Sequence, residues 1–179
     1  MVALGASFPA LAFSVDELDV THDGDTYSVL FNVRIDVDAA KARELLTDYR
    51  QWPRISQTIK ESRLVRDWPD GRKRVSADLR SCVVFILCKT VRQVKDLQAA
   101  GTKGVFRTDM VPGEGDFASG WEIWEILDEG PQRTRLRYRA QLVPGFGLPP
   151  LVGPWILKRE LRAELLGTAA GVERLLARQ

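Results

Sequence analysis

A chain with one histidine and two cysteines has few routes to nucleophilic or metal chemistry. The single His22 excludes every triad or dyad that needs a second imidazole, and the count excludes most His/Cys zinc sites. His22 stands in Thr21-His22-Asp23-Gly24-Asp25, ahead of the first alternating strand, and reads as a solvated turn residue. Asp23 and Asp25 lack the twelve-residue loop pattern of a calcium site. Gly113-Glu114-Gly115-Asp116-Phe117-Ala118 matches G-x-G-x-x-A, but that pattern holds a pyrophosphate only between a strand and a helix. Here a strand follows, so the segment reads as a turn. Cys82 and Cys88 have no histidine to activate either thiol. No metal and no cofactor are expected, which leaves the carboxylates.

Glu125 is the carboxylate that a hairpin register turns inward. Pairing Leu127 with Thr134 sets Glu122 opposite Arg139, Trp124 opposite Arg137 and Asp128 opposite Arg133 on a wet face. The other face then carries Trp121 beside Ala140, Ile123 beside Tyr138 and Glu125 beside Leu136. A slip of one residue would exchange the two faces. A carboxyl group in an apolar interior is pushed up in pKa and can act as a general acid or base. The competing role for Glu125 is an ion pair with an arginine at a cavity rim. Arg133, Arg135, Arg137 and Arg139 read as a solvated strand face rather than a nucleic-acid surface.

The elements that must position these residues follow from periodicity. Tyr27, Val29, Phe31, Val33 and Ile35 alternate with Ser28, Asn32 and Arg34, the pattern of a half-buried strand. Asp36 or Asp38 then caps a helix over 39–47. Pro53 disfavours helical geometry at Trp52 and closes this region. Residues 57–143 read as strand and turn throughout, with room for six strands of an antiparallel meander. A long helix follows over about 150–178, with Leu157, Leu161, Leu165, Thr168, Val172 and Leu175 on one face. Gly167 and Gly171 lie inside it, each costing about 1 kcal/mol relative to Ala unless a close approach or a ligand compensates.

At 179 residues the chain is sized for one domain with a core or a cavity. Its 45% hydrophobic and 28% charged content excludes disorder, and a net charge of +2 gives no electrostatic basis for nucleic-acid binding. Residues 1–12 are small and apolar and end in Ala10-Leu11-Ala12, the A-x-A form of a signal-peptidase site, without a basic n-region. Two readings stand open: a clipped export signal, with a mature chain from near Phe13, or a disordered tail. The first implies a periplasmic or exported protein and the second a cytoplasmic one. Residues 13–25 read as an extension ahead of a domain over 26–179. No apolar run is long enough to cross a membrane as a helix.

Two apolar segments read as loops at an entrance. One is 83–87, with Phe85 and Ile86; the other is 144–155, with Phe146, Leu148, Leu151 and Trp155. Exposed apolar tips gate a cavity or dock reversibly on a membrane. A strand running through 82–88 would hold the two cysteines about 20 Å apart, beyond disulfide reach. A hairpin loop there would set Cys82 and Cys88 opposite each other for a bridge.

The order strand, short helices, six antiparallel strands and long terminal helix resembles the SRPBCC superfamily, the START-like or helix-grip fold. Asp48-Tyr49-Arg50-Gln51-Trp52-Pro53 is similar to the superfamily's D-Y-x-x-[WYF]-P segment, and Gly120-Trp121-Glu122-Ile123 to its Gly-Trp strand. Segment 144–155 stands where its loop precedes the long helix. The resemblance implies an α+β helix-grip fold. A seven-stranded curved antiparallel sheet would wrap the C-terminal helix, with two short helices after the first strand. It further implies an apolar ligand, a lipid or a quinone-, sterol- or fatty-acid-like molecule. Polyketide cyclases, coenzyme Q-binding START proteins and ribosome-association toxins are the groups it suggests.

Inward candidates are Phe31, Leu79, Phe106, Met110, Trp121, Ile123, Tyr138 and Leu142, with Tyr49, Trp52, Arg54 and Thr168 as further ligand contacts. Asp48 is a second polar candidate whose competing role is helix capping. An enzyme of this type would use Glu125 with Tyr138 on a polyketide. A protein-binding module would instead have a filled interior and an exposed patch.

Overall fold

The alternation at Tyr27 to Ile35 is realised as a strand whose odd-numbered side chains are all buried. In this computed structural model, the described residues are 13–83, 87–99, 101, 103–149 and 151–177, with backbone alone at 81–83 and 87. The expected export signal at 1–12 and the loop-tip residues Phe85 and Ile86 lie outside the described residues. Eight strands form one antiparallel sheet: β1 (Ser14–Asp23), β2 (Thr26–Ile35), β3 (Ile59–Asp67), β4 (Lys73–Val83), β5 (Leu87–Ala99), β6 (Val105–Met110), β7 (Phe117–Asp128) and β8 (Thr134–Pro144). Their spatial order is β1-β2-β8-β7-β6-β5-β4-β3.

Seven strands were expected. The eighth is β1, in the segment read as an extension and as the turn holding His22. Its side chains are largely exposed and only Val20 is buried, so the apolar alternation that announces a strand is weak. It is held by its ladder to β2 and by the ring of His22 against that of Tyr27, with centroids 4.4 Å apart.

Between β2 and β3 lie α1 (Ala39–Thr47), a single 3₁₀ turn at Tyr49–Gln51, and α2 (Trp52–Ile55). The Asp38 carboxylate caps α1 by accepting the N–H groups of Ala40 and Lys41 at 2.9 and 3.0 Å. Trp52 is helical despite the proline after it, because Pro53 falls in the first turn of α2, where its missing N–H costs nothing. The long helix α3 spans Gly153–Leu176 and buries Leu165, Ala169 and Val172.

The core sits between the concave face of the sheet and the three helices. Phe31, Val33, Ile35, Leu136 and Leu142 are almost fully buried there, each contributing about 1.5–3 kcal/mol of apolar burial. No helix among the described residues is long and apolar enough to cross a membrane.

The β7–β8 register differs from the expected one by a single residue. Asp128, not Leu127, pairs with Thr134, and Glu129–Arg133 forms a five-residue loop closed by Glu129 N–H to the Arg133 carbonyl at 3.0 Å. Glu122 now lies opposite Ala140, Trp124 opposite Tyr138 and Ile126 opposite Leu136 on the concave face. Trp121, Ile123 and Glu125 face outward, opposite Gln141, Arg139 and Arg137. Matching charges on the wet face suggested the other phase, but Glu125 answers the same arginines. It bonds Arg139 at 2.8 Å and lies 3.8 Å from Arg137.

Candidate functional site

Side chains alternate along each strand, so the ladders decide which residues share the concave face. β4 contributes Leu79, β5 contributes Val91, Gln93 and Lys95, and β6 contributes Phe106 and Thr108. β7 adds Glu122 and Trp124, and β8 adds Tyr138 and Leu142. Trp52, Ile55 and Leu46 close one side from the short helices. Leu157, Leu161, Leu165 and Thr168 of α3 form the lid, and Phe146 stands on the loop before it. Together they enclose a cavity of about 190 Å³.

The walls are largely apolar, with a buried cluster centred on Glu122 and, on the α3 side, the carboxylates Glu160 and Glu164. The Glu122 side chain is 8% exposed and that of Lys95 11%. Oε2 of Glu122 accepts Lys95 Nζ at 2.7 Å and the Thr108 hydroxyl at 2.6 Å, while Oε1 accepts the Tyr138 hydroxyl at 3.2 Å. Burial pushes the Glu122 carboxyl up, but the Lys95 ammonium and the hydroxyls of Thr108 and Tyr138 more than offset this, leaving it below its ordinary value. Burial and the neighbouring Glu122 charge push the Tyr138 phenol well up, with Glu164 adding to the effect. Within the resting cluster Glu122 is therefore a carboxylate and Tyr138 a neutral phenol.

Aromatic rings fix the frame. Lys95 Nζ lies 5.0 Å from the centre of the Trp52 ring, and the indole N–H donates to the Leu46 carbonyl at 2.9 Å. Trp124 sits between Phe106 and Tyr138, with ring centroids at 6.3 and 4.6 Å. Glu164 marks the α3 side. It accepts the Thr58 hydroxyl, which is itself 2.9 Å from the Ser56 hydroxyl.

Of the residues expected from sequence, Trp52, Leu79, Phe106, Tyr138, Leu142, Phe146 and Thr168 line this cavity. Phe31 and Met110 are buried in the surrounding core. Tyr49 packs against the core without lining the cavity, and Arg54 is exposed, donating to the Gln51 side chain at 2.7 Å. Asp48 takes the capping role, bonding the Arg50 N–H and guanidinium. Trp121, Ile123 and Glu125 are on the outer face. Trp121 stacks against the Arg107 guanidinium there.

Glu122 and Trp124, expected on the wet face, line the cavity instead, together with Lys95, Thr108 and Gln93, which the sequence did not single out. The signal available was parity. Gln93 and Lys95 share the phase of Val91 and Leu97, and a lysine in that phase requires a buried counter-charge. Gly113–Ala118 is a turn leading into β7, with no helix after it. Among the described residues no group of three metal-ligating side chains is present.

Leu151 is 97% exposed and Trp155 62%, with Val152 between them half-exposed. Leu148 packs beneath, against Gly153. Cys88 is disulfide-bonded, and Cys82, the other cysteine of the chain, is its ladder partner across the β4–β5 hairpin.

A family model described as polyketide cyclase / dehydrase and lipid transport matches residues 26–173. A search of curated proteins finds no match. Among solved structures, a START superfamily protein from Mycobacterium smegmatis is similar at a TM-score of 0.67 and 17% identity, over 84% of this chain and 97% of that one. The Zhui aromatase/cyclase of a Streptomyces species is similar at a TM-score of 0.71 and 12% identity, over 86% and 94%. A STAR-related lipid transfer protein from Xanthomonas axonopodis gives 0.65 and 13%, over 92% and 100%. These likenesses carry the helix-grip fold, and with the family match they identify the chain as a member of the polyketide cyclase/dehydrase and lipid-transport family of the SRPBCC superfamily.

Proposed function

We propose that this protein binds a hydrophobic small molecule that carries one polar group, with the apolar body under α3 and the polar end at Lys95, Thr108 and Tyr138. The observation that supports this most directly is a largely apolar cavity with the buried Lys95–Glu122 ion pair at its wall. Burying an ion pair among apolar groups is costly and is weak evidence for a stabilising role. An orienting role for ligand accounts for it better. Lys95 has three N–H donors and gives one to Glu122, so an acceptor oxygen on the ligand is the natural complement.

A volume of 190 Å³ holds about six waters and lies below the roughly 300–1,000 Å³ of drug-sized pockets. A quinone head or a short acyl segment suits it. A longer lipid or a sterol would extend past Phe146 and Leu157. The exposed Leu151, Val152 and Trp155, with Arg159 5.9 Å from the Trp155 ring, would meet a membrane surface transiently during exchange.

The test is native mass spectrometry of gently purified protein, followed by extraction of any bound lipid. Trp52 and Trp124 line the cavity, so tryptophan fluorescence should shift as quinones, sterols or fatty acids are added. A clean apo mass with unchanged fluorescence would sink the proposal. A filled interior, which a protein-binding module would have, is disfavoured by the cavity itself.

A second reading, an enzyme of the cyclase/dehydratase kind, draws on the same cluster. Glu122 with Tyr138, in place of Glu125 with Tyr138, could exchange a proton with a bound polyketide. Under that reading Glu122→Gln abolishes turnover while Glu125→Gln leaves it intact.

A further inference from the structure

We propose that the far end of the concave face is a second binding site, for a phosphate group. There the trough continues past Phe106, which lines both compartments, into an open groove of about 640 Å³ beneath α1. Three cations line it: Arg43 from α1, Lys73 at the start of β4, and Lys103 in the β5–β6 turn. None of the three forms an ion pair among the described residues; Arg43 and Lys73 are half-buried and Lys103 is exposed. Asp67, opposite Lys73 in the β3–β4 ladder, forms none with it. No residue outside the described set is an Asp or Glu.

Arg43 carries the second, independent observation. Its Nε is buried and has no hydrogen-bond partner. That Nε is shielded from solvent beside Gly104, so an oxyanion in the groove would be met by the Nη groups of the guanidinium. The backbone is shaped around it. Gly104, at φ +88°, lies where a Cβ would meet Arg43 Nη2 at 3.3 Å and the Ile126 carbonyl oxygen at 2.6 Å, so only glycine leaves this arrangement undisturbed. Three cations without acidic partners complement a phosphate of nearly two negative charges better than the single charge of a carboxylate.

Two sources would present that chemistry: the headgroup of an amphiphile whose chain reaches across Phe106 into the apolar cavity, or a free phosphate ester. The site stands independently of the apolar-ligand reading. A calorimetric titration with inorganic phosphate and with octyl phosphate, in chloride buffer, tests it. Saturable binding is expected, weakened at least tenfold in the Arg43→Gln/Lys73→Met variant. Octyl phosphate binding tenfold or more tighter than inorganic phosphate identifies the headgroup source, and equal affinities identify the free source. Absence of saturable binding by both, or binding unchanged in the double variant, overturns the proposal. Should Arg43→Gln fail to fold, Lys73→Met and Lys103→Met carry the same test. Octyl glucoside, read by tryptophan fluorescence, probes the apolar cavity alone, so failure of one site is distinguishable from failure of the other.

Discussion

Glu122 meets three donors inside an apolar cavity, and removing its charge strands the Lys95 ammonium. Glu122→Gln is expected to destabilise the fold by about 3–5 kcal/mol, the usual result of leaving half of a buried pair. Adding Lys95→Met should recover much of that loss, as urea unfolding of the three variants would show. Glu125→Gln serves as the contrast. Its ion pairs are on the wet face with arginines about half exposed, so the change should stay below about 1 kcal/mol. The depressed Glu122 carboxyl also sets a pH dependence. Between its folded and unfolded pKa values the unfolded chain binds the extra proton, so the contribution is complete above the ordinary carboxylate range. It is lost as pH falls through the lower folded value. Melting temperatures from pH 7 to 3 should drop at the acid end, and less steeply in the Lys95→Met/Glu122→Gln variant.

At the scale of elements, α3 separates two glycines that look alike in sequence. A Cβ at Gly171 would stand 1.9 Å from the Ile55 carbonyl oxygen, whereas at Gly167 it would meet nothing within 4 Å. Gly171→Ala should therefore cost about 1–3 kcal/mol through overpacking. Gly167→Ala should stabilise by about 0.5–1 kcal/mol through helix propensity. Thermal unfolding distinguishes the two directly. The small-residue patch was legible, but which glycine answers a close approach depends on α2, more than a hundred residues earlier in the chain. The β7–β8 hairpin teaches the same lesson. Strand identity was plain from alternation in both arms, and the inward set of β8 was read correctly at Tyr138 and Leu142. The phase of β7 was not, because two charge-matched registers compete until Lys95 supplies a partner for Glu122 and the loop Glu129–Arg133 closes. The first strand was invisible for a different reason: its single buried residue gives no period.

Across the whole molecule, one antiparallel sheet carries both the apolar cavity under α3 and the basic groove under α1. On β5, Lys89 lies 4.1 Å from the centre of the Phe146 ring, which lines the cavity. Cys88 is disulfide-bonded, so no thiol should react with an alkylating reagent before reduction. Reduction should cost about 2 kcal/mol, since a loop this short restrains the unfolded chain only modestly. Calorimetry with and without reductant checks the value. A bond of this kind persists in an oxidising compartment, so thiol labelling in intact cells also tests the expectation of export.

Sequence alone determined the order of the elements from β2 onward and much of the apolar lining, and the motifs at 48–53 and 120–123 carried the resemblance to the helix-grip fold. The elements and the lining follow from periods of 2 and 3.6, which belong to each element by itself. Tertiary structure decided which carboxylate is buried, where its ammonium comes from, and that a second, basic compartment adjoins the first. A strand's period is local, but its phase is set by turns and by partners distant in the chain. A shift of one residue moved the acid of this site from Glu125 to Glu122.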